Sequence, residues 1–154
     1  MNSYGSYPPS LACDFIAQEE GRRLTAYQCS AGVWTIGYGH TAGVNEGDTI
    51  TASEADQLLL EDVTETVREM ARYVNVPVSE GMFIALTSLA FNLGAANVPR
   101  KCPKLMRALN TKEYEAAAKE FLDVTGGGPG LVGRRRREAE LFLRDYQGEE
   151  DEDD

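Results

Sequence analysis

Histidine and cysteine are scarce in this sequence, and their scarcity excludes several kinds of site. His40 is the only histidine, so a metal site built on several histidines is excluded. The three cysteines, Cys13, Cys29 and Cys102, are an odd number without paired spacing, which favours neither a disulfide framework nor a zinc site. We therefore predict no metal, no cofactor and at least one free thiol.

Long apolar runs are also absent. The first residues, MNSYGSYPPSLACDF, have no basic start and no apolar run of the length found in signal peptides. No stretch of the 154 residues is long enough to span a bilayer. We expect no export signal and no stable membrane insertion.

Positive charge is in deficit, because 15 Lys and Arg face 25 Asp and Glu and leave a formal net charge of -10. This balance argues against a general affinity for nucleic acid or for an anionic membrane surface. The deficit is uneven: residues 1–96 carry -8, residues 97–148 carry +4, and residues 149–154 are all acidic. We predict a disordered acidic tail over residues 148–154.

Residue pattern predicts a helix and a small sheet in the first third of the chain. Ser10 is a good N-cap and Gly21 a natural residue just past the helix end, so Glu20 lies at the helix terminus. LTAYQ and VWTIGY are rich in β-branched and aromatic residues, and the CSAG segment between them predicts a hairpin connection. A short third strand is expected near residues 49–50.

Residue patterns in the remainder of the chain predict helices. Ser53 and Asp56 resemble a capping box, and apolar residues at steps of three or four then predict one amphipathic helix over about 53–74. MFIALTSLAFNL is apolar on nearly every side, which predicts a central buried helix. We expect three shorter helices after it, begun at Pro103, capped by Thr111, and placed after a turn over Gly126 to Gly130.

Glu20 is the candidate catalytic group. A carboxyl at a helix end that faces a small sheet can act as a general acid, because partial burial favours its protonated form. An isolated Glu in such a position is more often a solvated surface residue, and Glu19 next to it shows how ordinary the residue type is. The surrounding segment EGRRLTAYQCSAGVWTIGYGHT favours a catalytic role for Glu20 instead.

This segment resembles the phage-type lysozymes of glycoside hydrolase family 24, the lambdoid-phage endolysins in particular. The family pattern is a Glu, an Asp or Cys after eight residues and a Thr after five more, which Glu20, Cys29 and Thr35 match. The resemblance continues in family order through ALTSLAFNLGA, LMRALNTKEYEAAAKEF and GLVGRRRREAELF.

The resemblance implies an α+β, mainly helical fold with two lobes and a substrate cleft between them. We expect a short N-terminal arm over residues 1–9 and a lysozyme domain over 10–147. Within that domain, the N-lobe with its small antiparallel sheet is expected over about 10–52. The connecting helix is expected over about 53–74 and the helical C-lobe over about 75–147.

The resemblance also implies hydrolysis of the β-1,4 bond between N-acetylmuramic acid and N-acetylglucosamine in peptidoglycan. Glu20 would protonate the leaving-group oxygen, because an alkoxide leaves poorly. Cys29 is a poor base unless its pKa is perturbed, since a thiol near its reference pKa of about 8.5 is mostly protonated at pH 7. Cys29 could instead hold a water, with Thr35 positioning water or intermediate. A disulfide from Cys29 to Cys13 or Cys102 would block the site.

Two further residues are candidates for substrate binding. Asn92 lies where the central helix of this family can meet the cleft, so its amide could bind an N-acetyl group or a sugar hydroxyl. His40 follows the sheet near the site, although a structural role is the stronger reading. Strand alternation places Trp34 opposite Thr35 and therefore in the core. Arg134 to Arg137 reads as a solvated helix face, with attraction to wall anions as the functional alternative.

These inferences predict a phage endolysin that is made in the host cytoplasm and acts as a monomer on peptidoglycan glycan strands. Without a signal or anchor of its own, it would reach the wall through a membrane lesion made by a separate holin. Two alternatives remain: a chitinase-like hexosaminidase, and a catalytically impaired wall-binding or virion-structural protein, which Cys29 in place of a carboxylate would suit.

The acidic tail generates the first testable prediction. Deleting residues 149–154 removes six negative charges outside the resemblance, so the fold should persist and wall binding at low salt should be equal or tighter. Sedimentation of both proteins with purified sacculi measures this. A large loss of binding after the deletion would contradict the prediction.

Overall fold

The computed structural model describes residues 1–125 and 129–148. The predicted acidic tail lies almost wholly outside these residues. The elements are β1 (Asn2–Ser3), α1 (Cys13–Glu20), β2 (Arg23–Gln28), β3 (Trp34–Gly37), α2 (Ala52–Met70), β4 (Pro77–Val78), α3 (Glu80–Leu93), α4 (Val98–Lys101), α5 (Pro103–Asn110), α6 (Tyr114–Phe121) and α7 (Gly130–Leu143). The predicted helices occur in the predicted order, together with β1, β4 and α4, which were not predicted. The prediction of a mainly helical α+β fold is confirmed.

The start of α1 differs from its prediction, whereas its end agrees. Ser10 does not cap α1, because a 3-10 turn over Pro9–Ala12 comes first and Ala12 occupies the N-cap without a side-chain hydrogen bond. Because proline lacks an N–H and has the φ of a first helical turn, Pro9 begins a 3-10 turn. Ser10 lies inside this turn and therefore cannot be the N-cap of α1. Gly21 ends α1 with a φ of 75°, which leaves Glu20 as its last residue.

The predicted hairpin is present. Strands β2 and β3 pair antiparallel, with Tyr27 opposite Thr35 and Gln28 opposite Trp34. The turn is closed by the Gly32 N–H, which donates to the Cys29 carbonyl at 2.8 Å. The third strand near residues 49–50 is reduced to one bridge, between Thr25 and Thr49.

Helix α2 joins the lobes, but it begins two residues earlier than the predicted capping box. Thr51 and Glu54 form the box: the Glu54 N–H donates to Thr51 Oγ1 at 3.1 Å, and the Thr51 N–H donates to Glu54 Oε1 at 3.0 Å. Ser53 therefore lies inside the helix. The helix stops at Met70, short of the predicted end, and its apolar stripe is buried at Ala55, Leu59, Val63, Val67 and Met70.

Helix α3 is the centre of the C-lobe, and all its residues from Gly81 to Ala90 are buried, as predicted. Its contact with α7 depends on Gly81, since a Cβ there would lie 2.3 Å from the Leu141 carbonyl oxygen. No single described helix is long and apolar enough to cross a membrane. Among the described residues, one pair of neighbouring helices has the required length and composition when taken together, but it is bent by 96°: Glu80–Leu93 and Ala95–Lys101.

Two predicted features of the last helices differ in the structure. Helix α5 begins at Pro103 as predicted, but Thr111 does not cap α6, because Lys112 has a left-handed φ of 62° and Glu113 becomes the N-cap residue. The Thr111 hydroxyl donates back to the Arg107 carbonyl at 2.9 Å. The predicted turn from Gly126 lies partly outside the described residues, and Gly130 already belongs to α7.

The first residues are attached to the C-lobe, a feature that no pattern in the sequence indicated. Strands β1 and β4 pair antiparallel, with Asn2 opposite Val78. Tyr4 is buried, its hydroxyl is 2.6 Å from Thr87 Oγ1, and its ring packs on Phe83. The segment expected to be an arm therefore contributes a side chain to the core.

An ion pair between α1 and α7 gives a prediction about stability and pH. The Arg137 guanidinium donates to both oxygens of Glu19 at 2.6 and 2.8 Å, and this hydrogen bonding lowers the pKa of the Glu19 carboxyl. A lowered pKa contributes stability above the usual Glu value of about 4.3, and this contribution is lost as the pH falls through the lowered value. Because Arg137 is half exposed, the contribution is about 0.5–1 kcal/mol.

Denaturant unfolding of Glu19→Gln should therefore show a small loss of stability at pH 7 that shrinks between about pH 5 and pH 3. Glu61→Gln, at an exposed position of α2, is the matched control and should show no such trend. A Glu19→Gln deficit that stays constant down to pH 3 would argue against this ion pair.

Candidate active site

Glu20 lies at the junction of α1 and the hairpin, where both lobes reach it. Its side chain is 19% exposed, and Arg134 Nη1 on α7 donates to its Oε2 at 2.5 Å. The end of α1 at Gly21 turns the chain into β2, so the carboxyl is held where helix and sheet meet. A general acid at this place is partly desolvated and still accessible to a ligand.

Gly39 makes room for the Glu20 carboxyl. The Gly39 φ is 81°, and a Cβ at this residue would lie 3.0 Å from Glu20 Oε1. A tight turn after β3 brings the glycine there, because Ile36 and His40 exchange two backbone hydrogen bonds of 2.9 Å. Any larger residue would be strained at this φ and would displace the carboxylate.

The prediction that Arg134 to Arg137 form a solvated helix face is wrong for the first two. Arg134 and Arg135 are buried, at 5% and 0% exposure, whereas Arg136 and Arg137 are exposed. Buried guanidinium groups require counter-charges. Both arginines pair with Glu138 on the same helix, and Arg134 also pairs with Glu20.

Glu138 is fully buried within this cluster. Its Oε2 accepts hydrogen bonds from Ser88 Oγ at 2.5 Å and Arg134 Nε at 3.3 Å, and its Oε1 accepts one from Arg135 Nη1 at 2.7 Å. Burial raises the pKa of the Glu138 carboxyl, while Arg135, Ser88 and Arg134 oppose the rise. The two arginines can only donate, so they favour the carboxylate form of Glu138 against the effect of burial.

Cys29 and Thr35 lie together at the turn end of the hairpin. Hydrogen bonds to the sulfur from the backbone of Val33 and Ala31, and from the Thr35 side chain, lower the pKa of the Cys29 thiol. The Thr35 hydroxyl is buried and also lies 2.9 Å from the Val33 carbonyl, so its one proton has two possible acceptors. The turn thus favours a thiolate, the perturbation that a chemical role for Cys29 needs.

Asn92 is oriented by the same arginine cluster. Arg135 Nη2 donates to Asn92 Oδ1, which fixes the amide because a guanidinium can only donate. Among the described residues, Asn92 Nδ2 has no hydrogen-bond partner. Asn92 can therefore offer an N–H to an acceptor oxygen of a ligand, rather than both an N–H and a carbonyl.

His40 is held on both sides by protein groups. Its Nδ1 is 2.7 Å from Asp62 Oδ2 on α2, and its Nε2 is 2.9 Å from the Ala42 carbonyl oxygen. With both ring nitrogens engaged, the structure favours the structural role over direct ligand contact. Trp34, expected in the core, is only half-buried and lies outside the main hydrophobic cluster.

Two concave regions flank these residues. A groove of about 280 Å³ is lined by Gly39, His40 and Phe91, so it adjoins the backbone that Glu20 contacts. A larger cavity of about 860 Å³ has Asn92 on its wall but does not include Glu20. Glu20 is not among the lining residues of the smaller groove either, and its carboxyl adjoins that groove only through Gly39.

The structure groups the predicted residues into two sets. Cys29 interacts with Thr35, whereas Glu20 and Asn92 are linked through the arginines of α7. Within residues 1–125 and 129–148, no hydrogen bond joins Glu20 to Cys29 or Thr35. The same residues contain no group of three or more His, Cys, Asp or Glu that could hold a metal ion.

Sequence reasoning missed Glu138 and Ser88, and it singled out Arg134 and Arg135 without assigning them to this buried cluster. A signal for part of this cluster exists in RRRREAE, because Glu138 follows Arg134 by four residues and Arg135 by three, a spacing that pairs charges on one helix face. Nothing in the sequence indicated that this face is buried, or that Ser88 meets it.

Comparison with known proteins gives consistent matches. The family model described as Phage lysozyme matches residues 17–139. The endolysin of Salmonella phage P22 is 41% identical over 136 residues, which cover 83% of this chain and 92% of that protein. The endolysin of Acyrthosiphon pisum secondary endosymbiont phage 1 is 38% identical over 135 residues, covering 82% and 91%.

Solved structures match over a similar span. The muramidase domain of SpmX from Asticaccaulis excentricus superposes with a TM-score of 0.78 at 33% identity, covering 86% of this chain and 94% of that one. A mutant of P22 lysozyme superposes with a TM-score of 0.75 at 39% identity, covering 87% and 96%.

The sulfur environment predicts a difference in reactivity among the three thiols. Burial raises the pKa of Cys13 and of Cys102, whereas hydrogen bonds lower that of Cys29. Iodoacetamide at pH 7 should therefore alkylate Cys29 first, and Thr35→Val should move its half-reaction pH upward, because one donor is lost.

Peptide mapping by mass spectrometry measures the order and the pH dependence. Cys29→Ser is the control and should lack the fast-reacting thiol. Earlier labelling of Cys13 or Cys102 in the folded protein would contradict the proposed sulfur environment.

Proposed function

Because the chain belongs to the phage lysozyme family, we propose that it is a muramidase, an endolysin that hydrolyses the β-1,4 bond between N-acetylmuramic acid and N-acetylglucosamine in peptidoglycan. The observation that carries this proposal is the placement of Glu20. The carboxyl is partly buried at a helix end, seated over Gly39 and beside a groove, with one oxygen held by Arg134.

Glu20 is the general acid in this proposal. It delivers its proton to the glycosidic oxygen, so the sugar departs as an alcohol while positive charge develops on the ring that remains. The proton sits on a carboxyl whose other oxygen is hydrogen-bonded, which fixes the direction of delivery. Arg134 orients the side chain and does not itself donate a proton, since a guanidinium remains charged.

Cys29 and Thr35 assist the attack of water on the sugar ring in this proposal. The lowered pKa of Cys29 increases its thiolate fraction at neutral pH, so the sulfur can accept a hydrogen bond from the attacking water and offset positive charge on the sugar ring. Thr35 supports this role by hydrogen bonding to the sulfur. The pair takes the part that an Asp has in the family pattern.

Asn92 and His40 contribute to substrate placement in different ways. We assign Asn92 Nδ2 to an acceptor oxygen of the substrate, such as an N-acetyl carbonyl or a hydroxyl. His40 acts indirectly, because its hydrogen bonds to Asp62 and Ala42 hold the turn that contains Gly39.

The boundaries and cellular route are part of the same proposal. We divide the lysozyme domain into an N-lobe over about residues 10–52, a connecting helix over about 53–74 and a C-lobe over about 75–147, with a short N-terminal segment over residues 1–9. The protein acts as a monomer on the cell wall after synthesis in the host cytoplasm, and it reaches the wall through a lesion made by a holin.

Two other functions can be separated by substrate and product. A chitinase-like hexosaminidase would cleave chitin as well as purified sacculi, and a catalytically impaired wall-binding protein would release nothing from either. Borohydride reduction identifies the bond: a muramidase leaves reducible N-acetylmuramic acid ends, and an N-acetylglucosaminidase leaves reducible N-acetylglucosamine ends. Anhydro ends without a reducible group would mean that water is not the acceptor.

Replacement of the acid is the direct test. Glu20→Gln keeps the shape of the side chain and removes its proton-donating ability, so release of reducing ends from sacculi should fall by a factor on the order of 100 or more. Glu19→Gln is the matched control and should retain activity at neutral pH. Near-wild-type turnover by a folded Glu20→Gln protein would remove Glu20 from the mechanism.

A further inference from the structure

Glu138 is a buried charge for which the proposed reaction has no use. Its side chain is fully inaccessible, and it lies on α7 between the arginines that reach Glu20 and Asn92. A buried carboxylate between two arginines costs desolvation free energy and is weak evidence for stability by itself. Its place between the acid and the proposed substrate contact points to another role.

The guanidinium of Arg134 has each nitrogen committed to a different partner. Its Nε donates to Glu138 Oε2 at 3.3 Å, and its Nη2 donates to Ser88 O at 3.1 Å and Ser88 Oγ at 3.2 Å. Only Nη1 remains for Glu20. Because the group is planar, the first two partners determine the direction in which Nη1 points.

Arg135 is held in the same way by the other oxygen of Glu138. Its Nη1 donates to Glu138 Oε1 at 2.7 Å and its Nε to the Val124 carbonyl at 2.9 Å. The remaining Nη2 is directed at Asn92 Oδ1. The two oxygens of one carboxylate thus orient one arginine toward the acid and the other toward Asn92.

We propose that Glu138 is a positioning residue, which sets the direction of Glu20 through Arg134 and the orientation of Asn92 through Arg135. This inference rests on the proposed function, because it assigns roles relative to that acid and that amide. Ser88 completes the arrangement from α3 by donating to Glu138 and accepting from Arg134.

Charge balance explains why a carboxylate is needed at position 138. The cluster contains two guanidiniums and two carboxylates, so Glu20 does not face the positive charge of Arg134 alone. Without Glu138, the buried guanidinium of Arg134 would lose one of its counter-charges, and its Nε would lose its acceptor. The charged groups near Glu20 are Arg134 and Glu138 on α7, Glu19 on α1 with its partner Arg137, and, past the Gly39 turn, His40 with Asp62 on α2.

The principal test is Glu138→Gln, which keeps the side-chain size and removes the charge. We expect kcat on purified sacculi to fall on the order of tenfold or more, because Arg134 no longer holds the acid in its direction. KM should rise through Asn92. The alkaline limb of the pH–activity profile should move to lower pH, because the variant removes a negative charge from beside Arg134.

Glu140→Gln is the matched control, because Glu140 is exposed on the same helix. It should leave kcat, KM and the pH profile unchanged. A Glu138→Gln protein with a native near-UV spectrum, wild-type kcat and an unmoved alkaline limb would overturn the inference. If Glu138 had only a structural role, Glu138→Gln would lower the stability of the protein and leave kcat and the alkaline limb unchanged.

Ser88→Ala keeps the test decisive if Glu138→Gln fails to fold. It removes one donor to Glu138 and one acceptor for Arg134 without changing charge, so kcat should fall a few-fold, on the order of one lost hydrogen bond. In a folded Ser88→Ala protein, an unchanged kcat would overturn the inference. If the proposed function itself were wrong, the wild-type protein would release no reducing ends, which distinguishes that outcome from failure of the inference about Glu138.

Discussion

The buried guanidiniums of Arg134 and Arg135 are the constraint on which the arrangement of this molecule depends. Two positive charges without access to water must be met by carboxylates and carbonyls at hydrogen-bond distance, and the partners come from several parts of the chain. Glu20 comes from the end of α1, Ser88 and Asn92 from α3, and Glu138 from α7 itself. Satisfying the two arginines therefore places the acid, the central helix and the last helix relative to one another. Gly81 permits the close approach of α3 and α7 that this pairing requires.

A second constraint comes from backbone geometry in the hairpin. The turn after β2 directs backbone hydrogen bonds from Ala31 and Val33 at the sulfur of Cys29, and the turn after β3 brings Gly39 beneath the carboxyl of Glu20. Neither effect depends on a charged side chain nearby. The main-chain turns therefore set the environment of the Cys29 sulfur and one side of the Glu20 carboxyl, whose other side is held by Arg134.

The tertiary structure also changes the interpretation of the uneven charge along the chain. Much of the positive charge after residue 97 is neutralised internally, because Arg134, Arg135 and Arg137 pair with Glu20, Glu138 and Glu19. The basic residues of this portion that face solvent include those on α4 and α5: Arg100, Lys101, Lys104 and Arg107. Of the arginine run that stands out in the sequence, only Arg136 and Arg137 are exposed in addition to these side chains.

Local patterns were sufficient to predict the longer helices and the hairpin, since apolar periodicity, a glycine after a helix and β-branched runs act through neighbouring residues. They located Glu20 at the end of α1, the hairpin of Cys29 and Thr35, and the buried helix that bears Asn92. The start of α1, the cap of α2 and the packing of residues 1–9 were missed, because each depends on competing partners or on distant contacts. The burial of Arg134, Arg135 and Glu138 was decided only by tertiary structure. A charged helix face looks the same in sequence whether it meets water or a second lobe, and only the assembled fold brings Ser88 and Glu20 to it.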